Sequence, residues 1–281
     1  MLWRMSRELR AWRHEGARLD VLGHRVFVRQ GGAGPHLTLL HGFPTCSYDW
    51  SKIWNPLAAE RSLLAMDLLG FGDSDKPKRG YSFRDHAERL RTLWRRLGVE
   101  QTTLVAHDYS ATLACELLAS QGEEKTIRSV VLLNGGLRGH LHRARRIQRV
   151  LTSPIGPLVA RLLNRERFAD SFTRIFTNEP SEQELDAFWM SIRTRDGHKR
   201  SPALLHYIAD RKRYARRWEG ALEKTQVPLT FVWGMKDPVS GAHMLDSLRH
   251  LGDTVELPVG HYPQWESPDE VRDAILAATR A

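Results

Sequence analysis

The sequence predicts an α/β architecture, with a mostly parallel central sheet covered by helices on both faces and an all-helical insertion. Three observations carry this. Short apolar runs of strand length recur towards both ends of the chain, helical periodicity fills the gaps between most of them, and residues 138–217 show helical patterning alone. Strands separated by helices need crossover connections, which place parallel neighbours in a sheet buried on both sides.

The elements follow in order. Residues 26–28 precede Gly31-Gly32-Ala33-Gly34 and read as one arm of an antiparallel hairpin. Runs at 37–40, 62–66, 102–106, 130–133, 229–233 and 255–259 read as buried strands, each with a turn signal nearby. Phe83, Ala87, Leu90, Trp94 and Leu97 recur at three- and four-residue spacing, with Ser82-x-x-Asp85 as the cap and Gly98 as the stop. A second helix is expected over 111–118. Within the insertion, 158–163, 182–192 and 204–217 read as amphipathic helices, and the last helix of the chain opens at Ser267-Pro268-Asp269-Glu270. The expected division is a core of 1–137 and 218–281 with a cap of 138–217. That cap would lie over the carboxyl ends of the strands, where open α/β sheets place their ligands.

A chain of 281 residues that is 41% apolar can bury a sizeable core. Cys46 and Cys115 are too few for a disulfide scaffold and lack the histidine pairing of a zinc module, which points to a reducing, cytoplasmic setting. No apolar run approaches the roughly 20 residues of a membrane span, and arginines interrupt the first twenty residues, so neither a spanning helix nor a standard secretory signal is expected. The net charge of +9 is uneven: residues 138–217 hold 18 of the 42 basic but only 8 of the 33 acidic residues. No zinc-finger spacing, RNA-binding aromatic signature or phosphate loop accompanies that charge, so no nucleic-acid partner is expected and the surplus reads as a solvated helical surface. Peripheral contact with a membrane is an expectation from Leu2, Trp3, Met5, Leu9 and Trp12 among arginines, and from the basic insertion.

The chemistry gathers at strand ends. Val105-Ala106-His107-Asp108-Tyr109-Ser110-Ala111 joins a strand to a helix with small residues on either side of Asp108. That pattern makes a sharp turn that lifts the central side chain above the sheet, with Asp108 as nucleophile and the Tyr109 N–H aimed at a developing oxyanion. His41-Gly42-Phe43-Pro44 follows another strand and offers the Phe43 N–H as a second donor, His41 itself reading as a hydrogen-bonded structural residue. Asp237 and His261 each follow a later strand, in the order acid then base, so the acid can fix the imidazole and the imidazole can activate water. Asn134 stands after the preceding strand but cannot ionise, which favours Asp237 as the acid. Asp67-x-x-Gly70-x-Gly72-x-Ser74 fits no phosphate-binding spacing and reads as a structural turn.

This set resembles the capped α/β-hydrolases with an aspartate nucleophile, namely epoxide hydrolases and haloalkane dehalogenases, over nearly the whole chain. The stretches Leu40-His41-Gly42-Phe43-Pro44-Thr45-Cys46-Ser47-Tyr48-Asp49-Trp50, Gly70-Phe71-Gly72-x-Ser74-Asp75-Lys76-Pro77, His107-Asp108-Tyr109 and Asn134-Gly135-Gly136 are similar, more narrowly, to the mesoderm-specific transcript group and its bacterial relatives. The resemblance implies a small-molecule substrate, no metal or organic cofactor, and a covalent Asp108 ester. A carboxylate gains little by attacking a carboxylic ester, because an anhydride results, but it displaces well at an sp³ carbon carrying a strained oxygen or a halide.

The leaving atom separates the two activities. Epoxide hydrolases supply two cap tyrosines as proton donors, and the resemblance implies Tyr207 for the second of them, with Tyr214 two helical turns further on as a companion. No tyrosine lies between 138 and 206, where the first would stand. Dehalogenases use a tryptophan beside the nucleophile and a second tryptophan or asparagine, and here Tyr109 and Phe43 take those places, leaving Trp189 or Trp218 as cap donors. Epoxide opening is the leading expectation, dehalogenation or other hydrolysis at an sp³ or lactone carbon the alternative, and a ligand-binding protein with a relict site the reading from another class.

Overall fold

A computed structural model describes residues 6–122 and 125–279. Eight strands, β1 (Gly16–Val21), β2 (His24–Gly31), β3 (His36–Leu40), β4 (Ser62–Met66), β5 (Thr102–His107), β6 (Ile127–Leu133), β7 (Leu229–Gly234) and β8 (Asp253–Leu257), form one sheet in the order β1-β2-β4-β3-β5-β6-β7-β8. The first two pairings, β1 with β2 and β2 with β4, are antiparallel and the other five are parallel. The hairpin arm at 26–28 is thus real, but its partner β1 escaped the sequence reading. Only Val21 of its six residues is buried, so the strand adds little to the core and its short Ala17-x-Leu19-x-Val21 alternation is a weak signal.

Side chains alternate between two cores, as the two-residue period of a strand requires. Val26, Val28, Leu104, Ala106, Val130, Leu132, Phe231 and Trp233 belong to one, Phe27, Leu37, Leu39, Val105, Val131, Leu133 and Val232 to the other. Helices α1 (Arg7–His14), α2 (Ser51–Ala58), α3 (Phe83–Leu97) and α4 (Tyr109–Ala119) precede the insertion. In α3 the Ser82 Oγ accepts from the Asp85 N–H at 3.1 Å and Gly98 closes the helix at φ 68°. Every residue of α4 from Tyr109 to Leu117 is buried, so the element that carries the strand-to-helix turn is held from all sides.

Between β6 and β7 the described chain is helix and loop only: α5 (Arg146–Leu151), α6 (Gly156–Arg161), α7 (Arg165–Thr173), α8 (Glu182–Arg193), α9 (Ser201–Leu204), α10 (Tyr207–Arg213) and α11 (Ala215–Lys224). The single helix expected over 204–217 is broken, and the expected boundary at 217/218 falls inside α11. Tyr214, at φ −106° and ψ 17°, interrupts the run so that α11 can settle on α4. There the Arg217 guanidinium and the Trp218 indole both donate to the buried Glu116 carboxylate, the latter at 2.7 Å. A tertiary ion pair outweighs continuous helical periodicity. The chain closes with α12 (Ala242–Leu245), α13 (Pro263–Glu266) and α14 (Pro268–Ala278). No described helix is long and apolar enough to cross a membrane.

Candidate active site

Asp108 stands between the end of β5 and the start of α4 with φ 43° and ψ −100°. Such a conformation costs an L-residue on the order of 1–3 kcal/mol and persists only where the surroundings enforce it. Two hydrogen bonds and two glycines accommodate it. The Ser110 hydroxyl donates to the His41 carbonyl, which gives the serine a use that glycine would lack. A Cβ at Gly135 would lie 2.3 Å from that of Ala111, and one at Gly42 2.7 Å from His107 Nδ1, so both glycines permit close approach to the turn. The Asp108 carbonyl itself accepts from Arg211 Nη2 at 3.1 Å.

The expected partners converge on the Asp108 carboxylate. The Phe43 N–H donates to Oδ2 at 3.1 Å, and His261 Nε2 lies 3.9 Å from the same oxygen. Tyr109 opens α4, where first-turn N–H groups have no partner inside the helix, so its N–H is available at the same corner. His261 Nδ1 is 2.7 Å from Asp237 Oδ2. Asp237 is saturated with donors: Val239 N–H on Oδ1, and Asn134 Nδ2, Ser240 N–H and Ser240 Oγ on Oδ2, all within 3.1 Å. The His261 carbonyl accepts from His107 Nε2 at 2.8 Å, and its N–H donates to the Ile175 carbonyl at 2.8 Å. His41 has the structural role expected, its Nδ1 donating to the Gly42 carbonyl while Nε2 accepts from the Leu68 N–H. The glycine-rich loop is a structural turn, Gly70 and Gly72 having φ of 96° and 48°.

Burial works against charge on all three members, but their mutual attraction outweighs it. Burial would raise the Asp108 pKa, yet His261 and then Arg211 hold it well below the usual carboxylate range. Burial would also raise Asp237, but His261 and the surrounding donors bring it below its ordinary value. For His261 burial lowers the pKa, and the Asp237 and Asp108 carboxylates together push it up to about 10. The two carboxylates thus favour a protonated imidazole between them.

The carboxylate faces a cavity of about 100 Å³. Phe43, Pro44, Asp108 and His261 line its base, Leu151, Leu163, Phe168, Phe172, Ile175 and Ile192 its apolar walls, and Arg145 and Arg167 add charge. Tyr207 stands beside this base, its ring 6.3 Å from Phe43 and 5.0 Å from Tyr109, and its hydroxyl is buried with the Arg211 and Gln148 side chains as polar neighbours. Burial and the Asp108 charge keep that phenol protonated. The structure does not bring Tyr214 to the cavity: it is 39% exposed at the junction of α10 and α11, off the face that Tyr207 occupies. Trp189 lies behind the wall, against Phe168 and His198, and the Trp218 indole is spent on Glu116. Tyr109 turns its hydroxyl away to the Tyr81 carbonyl. Among the described residues no group of three or more His, Cys, Asp or Glu side chains could hold a metal ion.

Sequence reasoning missed Arg211, which is buried and joins the site from α10. Its Nε donates to Thr112 Oγ1 at 2.8 Å, Nη2 lies 3.8 Å from Asp108 Oδ1, and the guanidinium covers the Tyr207 ring. A Cβ at Gly136 would sit 2.3 Å from Nη1, so that glycine makes room for the cation. The available signal was spacing: Arg211 follows Tyr207 by four residues and shares its helix face. Asn134 and Ser240 were missed as holders of Asp237.

Residues 35–268 match the model of the alpha/beta hydrolase fold family. The chain is an α/β hydrolase. This hydrolase is 38% identical to LipZ of Mycobacterium tuberculosis, over 97% of the chain and 98% of the relative. It is 36% identical to the human mesoderm-specific transcript homolog protein, over 94% and 85%, and 28% identical to a haloalkane dehalogenase of Mycobacterium marinum, over 89% and 87%. Among solved structures the hydrolase shares its fold with the haloalkane dehalogenase DbeA of Bradyrhizobium elkani, at a TM-score of 0.79 and 24% identity, covering 92% and 95% of the two chains.

Proposed function

We propose that this hydrolase cleaves a bond at an sp³ carbon through a covalent Asp108 ester, and that epoxides are its substrate class. One observation carries the first part: the side chain at the strained turn is a carboxylate, facing a cavity and within reach of both an oxyanion donor and a histidine base. The second part rests on Tyr207. An opening epoxide leaves as an alkoxide that needs a proton, and a buried phenol beside the nucleophile, kept protonated by burial and the Asp108 charge, can give one.

In this reading Asp108 attacks the epoxide carbon, the C–O bond breaks, and the alkoxide takes the Tyr207 proton. Esterification removes the Asp108 charge, one of the two carboxylates that raise His261. The imidazolium then gives its proton to the Tyr207 phenolate, leaving His261 neutral at the stage that requires a base. Water deprotonated by His261 adds to the ester carbonyl, the Phe43 and Tyr109 N–H groups hold the oxyanion, and collapse releases a diol and regenerates Asp108. The proton taken from water stays on His261 and restores the protonated imidazole of the resting site. The second reading is dehalogenation, favoured by the similarity to the Mycobacterium marinum enzyme, with halide rather than alkoxide departing.

Intact mass of a His261→Gln variant, incubated separately with panels of epoxides and alkyl halides, distinguishes them. The expected result is a gain of one whole epoxide on the peptide containing Asp108, absent when Asp108→Ala is added. A gain of an alkyl group without its halogen selects dehalogenation. A folded variant that takes up neither overturns the ester mechanism for these substrates.

A further inference from the structure

The described residues leave six large apolar side chains exposed, and four of them fall within thirteen residues of the insertion: Val150, Ile155, Leu158 and Leu162, the last three each about 60% exposed. They lie on α5, on α6 and at their ends, two short helices that pack against each other. Residues 143–163 carry five arginines and no acidic residue. Arg143, Arg146, Arg149 and Arg161 are exposed, and none of the five has a carboxylate partner among the described residues. Leu151 and Leu163 of this stretch line the cavity over Asp108.

We propose that the α5–α6 hairpin is a docking surface for an anionic phospholipid membrane, with its apolar tips set among the acyl chains and its arginines at the headgroups. Apolar tips ringed by unpaired cations match the layering of that interface. A second copy of the chain would bring the same positive charge against it, which disfavours self-association. Nucleic acid would use the arginines and leave the four apolar side chains in water. Of the N-terminal residues expected to meet lipid, Leu9 and Trp12 are taken up by the core, at 1% and 3% exposed, and Leu2, Trp3 and Met5 lie outside the described residues. Docking at α5–α6 sets the cavity beside the bilayer and stands apart from the choice between epoxide and halide.

The test is co-sedimentation of the full chain with vesicles of phosphatidylglycerol and phosphatidylcholine, or of phosphatidylcholine alone, at low and high salt. Binding is expected to the anionic vesicles only, and to weaken about tenfold or more at high salt. A variant carrying Ile155→Ser, Leu158→Ser and Leu162→Ser should lose about tenfold in affinity while its melting temperature is unchanged, because these side chains are exposed. Absence of binding at low salt overturns the proposal. So does undiminished binding by the serine variant, which would reduce the effect to charge, and so does a dimer in sedimentation equilibrium that the serine variant abolishes.

Discussion

Arg211 brings a cation to within 3.8 Å of the reacting carboxylate, and pH dependence reads its contribution directly. Asp108 must be ionised to attack, and Arg211 is among the groups that hold its pKa below the ordinary value. Replacing it with methionine raises that pKa, so the acid limb of kcat/KM moves to higher pH, whereas Arg211→Lys keeps the charge and moves it less. Loss of one partner from so buried a pair also costs about 3 kcal/mol of stability. An unmoved acid limb in the methionine variant would show that the guanidinium only braces the turn. Asp108, His261, Asp237 and Phe43 were legible in the sequence because each sits in a short motif after an apolar run. Arg211, Asn134 and Ser240 were not, since their roles exist only between loops that the sheet brings together. The separation of Asn134 from Asp237 is 103 residues along the chain and 3.0 Å in space.

Elements announced by their own ends were read most accurately. Helix α3 begins and stops where Ser82 and Gly98 place it, and Ser82→Ala should lower its stability by about 1 kcal/mol, measured as a shift in the urea midpoint at constant slope. A midpoint equal to that of the parent would mean that water replaces the cap without loss. The break between α10 and α11 had no such mark. Apolar spacing runs through Tyr214, and what ends the helix is the pull of Glu116 on Arg217 and Trp218 from another element. Strand β1 was hidden for the opposite reason, having a full set of ladder partners and almost no buried side chain.

At the scale of the molecule, amphipathic pattern revealed that a face is covered without revealing by what. Leu9 and Trp12 in α1 were expected to meet lipid, yet they close the second core: Trp12 packs edge-on to Tyr48 and Trp54, lies under the Arg29 guanidinium, and donates to Ser47. Trp12→Ala should therefore cost about 3 kcal/mol or more in denaturant unfolding and leave vesicle binding of the folded protein unchanged. A variant that keeps its stability but loses the vesicles would return the membrane contact to the N-terminal helix. The basic insertion shows the same ambiguity in charge. Its surplus was legible as a number, but its concentration around four exposed apolar side chains depends on how α5 and α6 fold together.

One hydrogen bond constrains how anything reaches Asp108. The amide that seats His261 is bonded to Ile175 in the insertion, and the neighbouring Thr177 and Asn178 amides donate to Glu266 in α13. A rigid swing of all the helices between β6 and β7 away from the sheet would break these links and unseat the base. Any further opening of the cavity that keeps the base seated must therefore leave residues 175–178 in place. In this hydrolase the base and the roof over it are parts of a single latch.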